Sequence, residues 1–564
     1  MSSRELKARI RASYGENHEY AGQPDPALTA KCENGAFVGR KEGDTLVFKG
    51  IPFALPPTGS LRWKRPEPVG PDGRTFEAYY NGKTPIQTEW PTEPASYYPQ
   101  GEDCLYLNIW MNADRETTGK AVMVFFHGGS YGWGGTADPM YDGKNLVDAH
   151  PEIVLVTAEY RTGLMGFVDF SEVPGGEEYP DAPNLGLLDQ IEALRWVRRN
   201  IAAFGGDPEL VTIFGESAGG GSVSLLPLIP EARGLFRRSI AESGSVALTF
   251  SREECRSFTQ RLLKSSGMKT MAELAAMTED RLREVNEKVN AYNNFPLRDG
   301  KLIPEDLYGC YDRGETTGTD LLMGTNANEM NYWVGEIGGL YPYRLGMHTR
   351  LENDMRILKP EDRDRVNEFM KKPRGRRFWI GGKNHDRKMW RITELYNELM
   401  FRLPMVRQAE GHSRNGGKVY LYYWQEPSRI PFRGACHASE LIYVFGNLDN
   451  TIYNGVPGDP GLCRTVQAMW TRFAKEGKPG MADYPWPAYT EKVRATMVLD
   501  RTPHVERDVL RPQRRLLTPL LDYKLCPSYG DMDYNVPFIR KRLWIAGGVI
   551  VGVLAVVALI LLLR

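Results

Sequence analysis

The sequence predicts an α/β fold in which a large, mostly parallel β-sheet is covered by helices on both faces. Residues 121–126, 153–158 and 210–214 predict buried strands, because each run is short, apolar and rich in β-branched or aromatic residues. Residues 187–201 place apolar side chains every three or four positions, which predicts an amphipathic helix that ends at Gly205 and Gly206. A helix between two strands indicates a parallel crossover, so the sheet should be mostly parallel.

Further strands are expected at residues 321–324 and 419–424, and no internal repeat divides the chain. Residues 26–525 are therefore predicted to form one large domain. Residues 1–25 are interpreted as a polar N-terminal arm, and residues 526–542 as a linker with a basic flank.

Charge and cysteine content exclude several classes of protein. The 564 residues include 71 basic and 71 acidic side chains, and this balance argues against a nucleic-acid-binding protein, which usually carries a basic surface. The seven cysteines are scattered, and no pair of them has the C-x-x-C spacing, so neither a disulfide framework nor a zinc site is indicated. No metal and no cofactor are expected.

The C-terminal residues 543–563 predict a transmembrane helix. They contain 21 residues without a charge, and at 1.5 Å per residue they would form a helix of about 31 Å, the thickness of a bilayer core. A buried core helix is the alternative. The basic residues 540–542 favour a cytoplasmic location for the upstream side. Because residues 1–10 contain no apolar run typical of a signal peptide, we expect a C-terminal tail anchor and a domain that faces the cytoplasm.

Two segments match the pattern G-x-S-x-G, which marks a serine nucleophile when it connects a strand to a helix. Residues 215–219 follow the predicted strand 210–214, and the residues after Gly219 are compatible with a helix. Residues 128–132 also follow a strand, but further glycines after them indicate a loop. The context therefore favours Ser217 as the nucleophile over Ser130.

The segment His127-Gly128-Gly129 at the end of strand 121–126 predicts an oxyanion hole. Acyl transfer places negative charge on a carbonyl oxygen, and backbone N–H groups that point at this oxygen stabilise it. The expected donors are the N–H groups of Gly128, Gly129 and Ala218, the last being the residue after the nucleophile.

A serine nucleophile needs a general base, and the base needs a carboxylate that orients it. When the order along the chain is serine, acid, histidine, five histidines follow Ser217: His348, His385, His412, His437 and His504. His437 is favoured because it lies in a loop of small residues after the predicted strand 419–424. Glu329, in the loop after strand 321–324, is the best-placed acid, with Asp299 and Asp306 as rivals.

Several segments resemble the type-B carboxylesterase family, which includes the cholinesterases. Residues 214–220 (FGESAGG) and 102–109 (EDCLYLNI) are similar to its two signature segments. Supporting segments occur in the family's order at residues 48–54, 61–63, 184–190, 204–208, 324–329 and 437–441. The resemblance covers roughly residues 28–520.

The resemblance implies an α/β-hydrolase fold and a Ser217–Glu329–His437 triad. It also implies that Glu216, beside the nucleophile, supports the site electrostatically. Trp90 resembles in rough position the aromatic residue with which cholinesterases bind a cation, so it is a candidate substrate-binding residue. Secreted relatives pair the cysteine that matches Cys104 with a second cysteine shortly upstream. No cysteine lies between Cys32 and Cys104 in this chain, which fits a reducing compartment.

These observations predict a serine carboxylic-ester hydrolase that acts on a small-molecule ester through an acyl-enzyme and is tethered to a membrane by residues 543–563. One alternative is a catalytically silent binding or adhesion module with the same fold, as in neuroligin-like proteins. A second alternative is an amidase or thioesterase that uses the same triad.

Overall fold

A computed structural model describes residues 3–88, 98–289, 294–336, 341–371, 387–431, 433–523 and 525. The β-strands are β1 (Thr29–Cys32), β2 (Gly35–Val38), β3 (Arg40–Glu42), β4 (Thr45–Pro52), β5 (Thr75–Glu77), β6 (Tyr106–Asn112), β7 (Lys120–Phe126), β8 (Ile153–Ala158), β9 (Gly206–Glu216), β10 (Arg238–Glu242), β11 (Asp320–Asn326), β12 (Val419–Trp424), β13 (Ala495–Leu499) and β14 (His504–Arg507).

The α-helices are α1 (Ser3–Ala12), α2 (Lys144–Ala149), α3 (Gly163–Gly166), α4 (Leu185–Asn200), α5 (Ala218–Leu225), α6 (Arg252–Ser266), α7 (Met271–Ala275), α8 (Glu279–Val289), α9 (Leu307–Asp312), α10 (Asn331–Glu336), α11 (Tyr341–Ile357), α12 (Pro360–Lys371), α13 (Arg387–Tyr396), α14 (Leu403–Arg414), α15 (Leu441–Phe445), α16 (Pro460–Glu476) and α17 (Arg511–Leu517).

The main sheet has the strand order β14-β13-β12-β11-β10-β9-β7-β8-β6-β4-β3. The strands from β8 to β13 in this order pair in parallel, as the sequence predicts, whereas both edges of the sheet are antiparallel. A second, small sheet joins β1, β2 and β5. The long parallel part matters for function, because the carboxyl ends of parallel strands lie along one edge of a sheet, where active sites form.

Helices cover both faces of the main sheet, and the side chains of β7 show this directly. Val122, Val124 and Phe126 belong to one hydrophobic core. The alternate residues Met123 and Phe125 belong to a second core on the opposite face. A strand buried on both faces reads as a continuous apolar run, which is why residues 121–126 show no alternation with polar residues.

Helix α4 precedes the strand that leads to Ser217, and the helix ends where the sequence predicts. After Asn200 the chain tightens into a 3₁₀ turn over Ile201–Phe204, and Gly205 then adopts φ +76°. This left-handed conformation is easily reached only by glycine. The turn passes directly into β9, which leads to Ser217.

No helix in the described ranges combines the length and the apolar character that a bilayer span requires. The predicted span at residues 543–563 lies outside the described residues. The N-terminal segment differs from the predicted polar arm, because residues 3–12 form helix α1 and two of its side chains are buried.

Candidate active site

Ser217 occupies a sharp turn between β9 and α5. Its backbone has φ +58° and ψ −117°, a combination that residues with a side chain rarely adopt. The Ser217 N–H donates to the carbonyl oxygen of Glu242 at 2.8 Å, and its own carbonyl oxygen accepts from Gly221 N–H at 2.8 Å. A residue held in such a strained conformation by its surroundings is typical of functional sites.

The turn is so tight that its flanking positions have no room for a side chain. A Cβ atom at Gly219 would lie 1.9 Å from the carbonyl oxygen of Phe126, the last residue of β7. A Cβ atom at Gly128 would lie 3.1 Å from Cβ of Ser217. The glycines therefore allow the backbone after β7 to pass directly beside the serine.

His437 and Glu329 form the other half of the site. Nδ1 of His437 lies 2.7 Å from Oε2 of Glu329, and both side chains are buried. The second oxygen of Glu329 accepts from Ser243 Oγ at 2.7 Å and from Asn326 N–H at 2.6 Å. Both Glu329 oxygens are thus occupied, so this carboxylate can hold the imidazole in one orientation and in one tautomer.

Ser217 and His437 line the same cavity, together with Gly128, Gly129, Glu216 and Trp333. Within the described part of the chain, no group completes a hydrogen bond with Nε2 of His437, although Oε1 of Glu216 lies 3.0 Å away. Nε2 is the atom that would accept the proton of Ser217. The imidazole therefore lies between two carboxyl groups, in a cavity that Ser217 also lines.

Burial shapes the electrostatics around this imidazole. Burial, and next the charge of Glu329, hold the pKa of Glu216 well above its usual range. Burial also raises the pKa of Glu440 to about 8, with contributions from Glu216 and Glu329. The pKa of Glu242 is raised well above its usual value by burial and by Glu440. Four buried carboxyl groups thus meet at one end of the sheet, and their charges oppose one another.

Aromatic rings surround the imidazole on its remaining sides. The ring centroids of Trp333 and Phe401 each lie 5.0 Å from that of His437, and the centroid of Tyr332 lies 6.3 Å away. Tyr332 and Trp333 come from α10, whereas Phe401 comes from a π-helical segment over Asn397–Arg402. These rings exclude water, which strengthens the hydrogen bond to Glu329.

The three residues of the predicted oxyanion hole lie close to Ser217. Gly128 and Gly129 line the same cavity as Ser217. Ala218 is the first residue of α5, so its N–H group has no acceptor within the helix and lies at the positive end of the helix dipole. These positions are compatible with the oxyanion hole, which stays a prediction.

The rival candidates have other environments. Asp299 Oδ1 accepts from the N–H groups of residues 301, 302 and 303, and Asp306 caps α9 by accepting from Gly309 N–H at 2.9 Å.

His412 is buried against Thr316, and burial lowers its pKa to about 4. Ser130 lines the cavity with φ +52°, but no helix follows it. Asp299, Asp306 and His412 are not among the residues that line the cavity of Ser217.

His348 lies on α11 and His504 on the exposed edge strand β14, and neither is among the residues that line the cavity of Ser217. His385 lies outside the described residues, and so does Trp90, the candidate cation-binding residue.

Sequence reasoning missed Ser243, Glu242 and Glu440. Ser243 follows β10, whose last residue Glu242 pairs with Glu216 of β9. The run over 238–242 is short and half polar, so it does not stand out as a strand, although the serine directly after it was a usable signal. Glu440 lies three positions after His437, but its approach to Glu216 depends on how the loop packs.

Comparisons with known proteins agree with the geometry. The model of the carboxylesterase family matches residues 25–516. Para-nitrobenzyl esterase of Bacillus subtilis is 34% identical over 88% of this chain and 98% of its own length. Liver carboxylesterase of Sus scrofa is 31% identical over 86% of this chain and 91% of its own.

Among solved structures, a carboxylesterase of Geobacillus stearothermophilus superposes with a TM-score of 0.75 and 31% identity, over 87% of this chain and 99% of that chain. The resemblance to the type-B carboxylesterases and the α/β-hydrolase fold is thereby confirmed. The chain belongs to the carboxylesterase family and is a carboxylesterase-type serine hydrolase.

Proposed function

We propose that the protein hydrolyses carboxylic esters through an acyl-enzyme on Ser217. The observation that carries this proposal is the 2.7 Å contact between Nδ1 of His437 and the buried Glu329, with Ser217 on a strained turn in the same cavity. A buried imidazole tied to a carboxylate on one side and adjoining a serine on the other is the arrangement that activates a hydroxyl nucleophile.

The first half of the reaction forms a bond between Ser217 Oγ and the ester carbonyl carbon. As this bond forms, the hydroxyl proton passes to Nε2 of His437, and Glu329 stabilises the imidazolium. The carbonyl oxygen becomes negative and accepts from the N–H groups of Gly128, Gly129 and Ala218. The bond to the alcohol oxygen then breaks, and that oxygen takes the proton from Nε2.

In the second half, water attacks the acyl-enzyme and gives its proton to the same Nε2. The bond to Ser217 Oγ breaks, the proton returns to Oγ, and the carboxylic acid leaves. Glu216, whose Oε1 lies 3.0 Å from Nε2, is placed to stabilise the imidazolium electrostatically. None of the described residues at the site favours an amide or a thioester substrate over an ester. The two relatives named above are esterases.

Ser217→Ala should lower kcat for a short p-nitrophenyl ester by about 10⁶-fold, as for other triads. A fluorophosphonate probe should label the parent protein once and the variant not at all. Ser130→Ala is the matched control, because Ser130 lines the same cavity within the same sequence pattern. Loss of labelling in the Ser130 variant instead would reject the assignment of Ser217.

We further propose that residues 543–563 anchor the protein in a membrane, with the catalytic domain on the cytoplasmic side. The support is the sequence: 21 uncharged residues follow Arg540-Lys541-Arg542, and Trp544 lies at the basic end. The full chain should resist extraction from membranes with alkaline carbonate, and Val553→Arg with Val556→Arg should release it. Protection of the catalytic domain from protease in intact vesicles whose cytoplasmic face is outward would contradict the orientation.

A further inference from the structure

Helix α1, the first element of the chain, is attached to the domain through one narrow face. Leu6 and Ile10 lie one turn apart and are 6% and 0% exposed. They pack against Tyr98 and Ala137, with Trp133 at the edge of the same cluster. Most of the other side chains of α1 are exposed, and Arg9 forms an exposed ion pair with Asp449 at 3.5 Å. Leu6 and Ile10 are the apolar side chains of α1 that the domain buries.

The segment after α1 determines where the helix lies. The Asn17 side chain donates to the carbonyl oxygens of Lys49 and Tyr80 at 3.0 and 2.9 Å, and it accepts from the N–H groups of Tyr79 and Tyr80. The carbonyl oxygen of Ser13 accepts from Asn81 N–H at 2.9 Å. These bonds join the arm to the domain independently of the apolar face of the helix.

The residues under α1 are also residues of the active-site cavity. Tyr98 and Trp133 line the cavity that contains Ser217 and His437, and α1 also contacts the turn at Pro139–Tyr141, of which Tyr141 lines the same cavity. Tyr98, Trp133 and Tyr141 thus form a wall of the cavity, with α1 on its outer side and Ser217 on its inner side. Leu6 and Ile10 lie on the outer side of this wall.

The cavity behind this wall is small. Its free volume is about 40 Å³, which is room for about three water-sized groups when each needs ~10–15 Å³. The positions of Tyr98 and Trp133 therefore affect how large a group fits beside Ser217. Tyr98 and Trp133 can move outward when the side chains that pack against them from outside are removed. A packed side chain keeps its position only while its neighbours fill the adjoining space.

Helix α1 lies outside the region that the family model matches. The model begins at residue 25, and both α1 and Asn17 precede it. The matched region therefore does not describe the contribution of α1 to the cavity wall.

We propose that α1 determines specificity: through Leu6 and Ile10 it holds Tyr98 and Trp133 against the cavity and so restricts the enzyme to compact esters. Leu6 and Ile10 act as positioning residues, since neither lines the cavity itself. The inference rests on the proposed ester hydrolysis at Ser217.

The test is the double variant Leu6→Ser with Ile10→Ser in the full chain, and its matched control is Ala8→Ser with Arg11→Ser on the exposed face of the same helix. Three substrates are compared by kcat/KM: p-nitrophenyl acetate, p-nitrophenyl decanoate with a long acyl group, and naphthyl acetate with a bulky alcohol. Fluorophosphonate labelling of Ser217 reports that the site is intact. Ile10→Ala serves as a milder variant if the double variant folds poorly.

We expect the double variant to keep its activity on p-nitrophenyl acetate within a few-fold. Its kcat/KM for at least one of the two larger esters should rise about tenfold relative to the acetate, in the range by which pocket contacts discriminate substrates. The substrate that responds identifies the group, acyl or alcohol, that the wall restricts. The control variant should leave all ratios unchanged.

Unchanged ratios for both larger esters in a variant that still reacts with the probe would overturn the role of α1. A parent protein that hydrolyses none of the three esters and is not labelled at Ser217 would overturn the proposed function instead.

Discussion

His437 lies between two carboxyl groups, with Nδ1 2.7 Å from Glu329 and Nε2 3.0 Å from Glu216. Burial and the charge of Glu329 hold the pKa of Glu216 well above its usual range. Glu216 therefore places a buried carboxyl group beside the nitrogen that would accept the proton of Ser217. From this position it can stabilise the imidazolium that forms in the transition state.

Glu216→Gln removes the carboxyl group beside Nε2. Without it, the imidazolium that forms in the transition state is less stable, so kcat/KM should fall by about tenfold, which corresponds to ~1.4 kcal/mol. Hydrolysis of a p-nitrophenyl ester by the parent protein and the variant measures the change. An unchanged kcat/KM would show that Glu216 does not support the imidazolium.

Glu329→Gln should lower kcat by about 10³- to 10⁴-fold, because an amide no longer selects the reactive tautomer of His437. Ser243→Ala, which removes only the hydrogen bond to Glu329 Oε1, should cost about tenfold. Asp299→Asn is the control, since this side chain accepts from backbone N–H groups of its own loop. If Asp299→Asn were the more damaging change in single-turnover assays, Glu329 would not be the acid.

Ser217→Gly should be more stable than Ser217→Ala, although both are inactive. At φ +58° and ψ −117° a Cβ atom is strained, and glycine relieves this strain. The difference in the free energy of unfolding should be about 1–2 kcal/mol, within the usual cost of such a conformation. Urea denaturation of the two variants measures it. Equal stability would mean that the turn stores no strain at this residue.

Glu440 should make the protein less stable as the pH rises. Burial raises its pKa from an ordinary 4.5 to about 8 in the folded state. Its contribution to stability is therefore complete below about pH 4.5 and is lost as the pH rises through about 8. Thermal unfolding between pH 5 and pH 9 should show a steeper loss for the parent protein than for Glu440→Gln. Parallel curves for the two proteins would show that the ionisation of Glu440 does not change stability between pH 5 and pH 9.

Local patterns in the sequence were enough to predict the central sheet and the nucleophile. Residues 121–126 and 153–158 are buried on both faces, so burial alone makes them continuous apolar runs. Ser217 is recognisable because a strand, two flanking glycines and a helix are consecutive in the chain. His437 and Glu329 could be placed in loops after strands, and the resemblance to the family chose between Glu329 and its rivals.

Contacts between segments distant in the chain were decided by the tertiary structure alone. Glu440 and Glu242 join the site because separate loops pack at one end of the sheet, and no local pattern encodes the distance between their carboxyl groups. Helix α1 has only Leu6 and Ile10 as buried apolar residues, and two such residues in a polar segment do not reveal whether they will find a partner. Folding supplies that partner in Tyr98, which packs against Leu6 and Ile10 and also lines the cavity of Ser217.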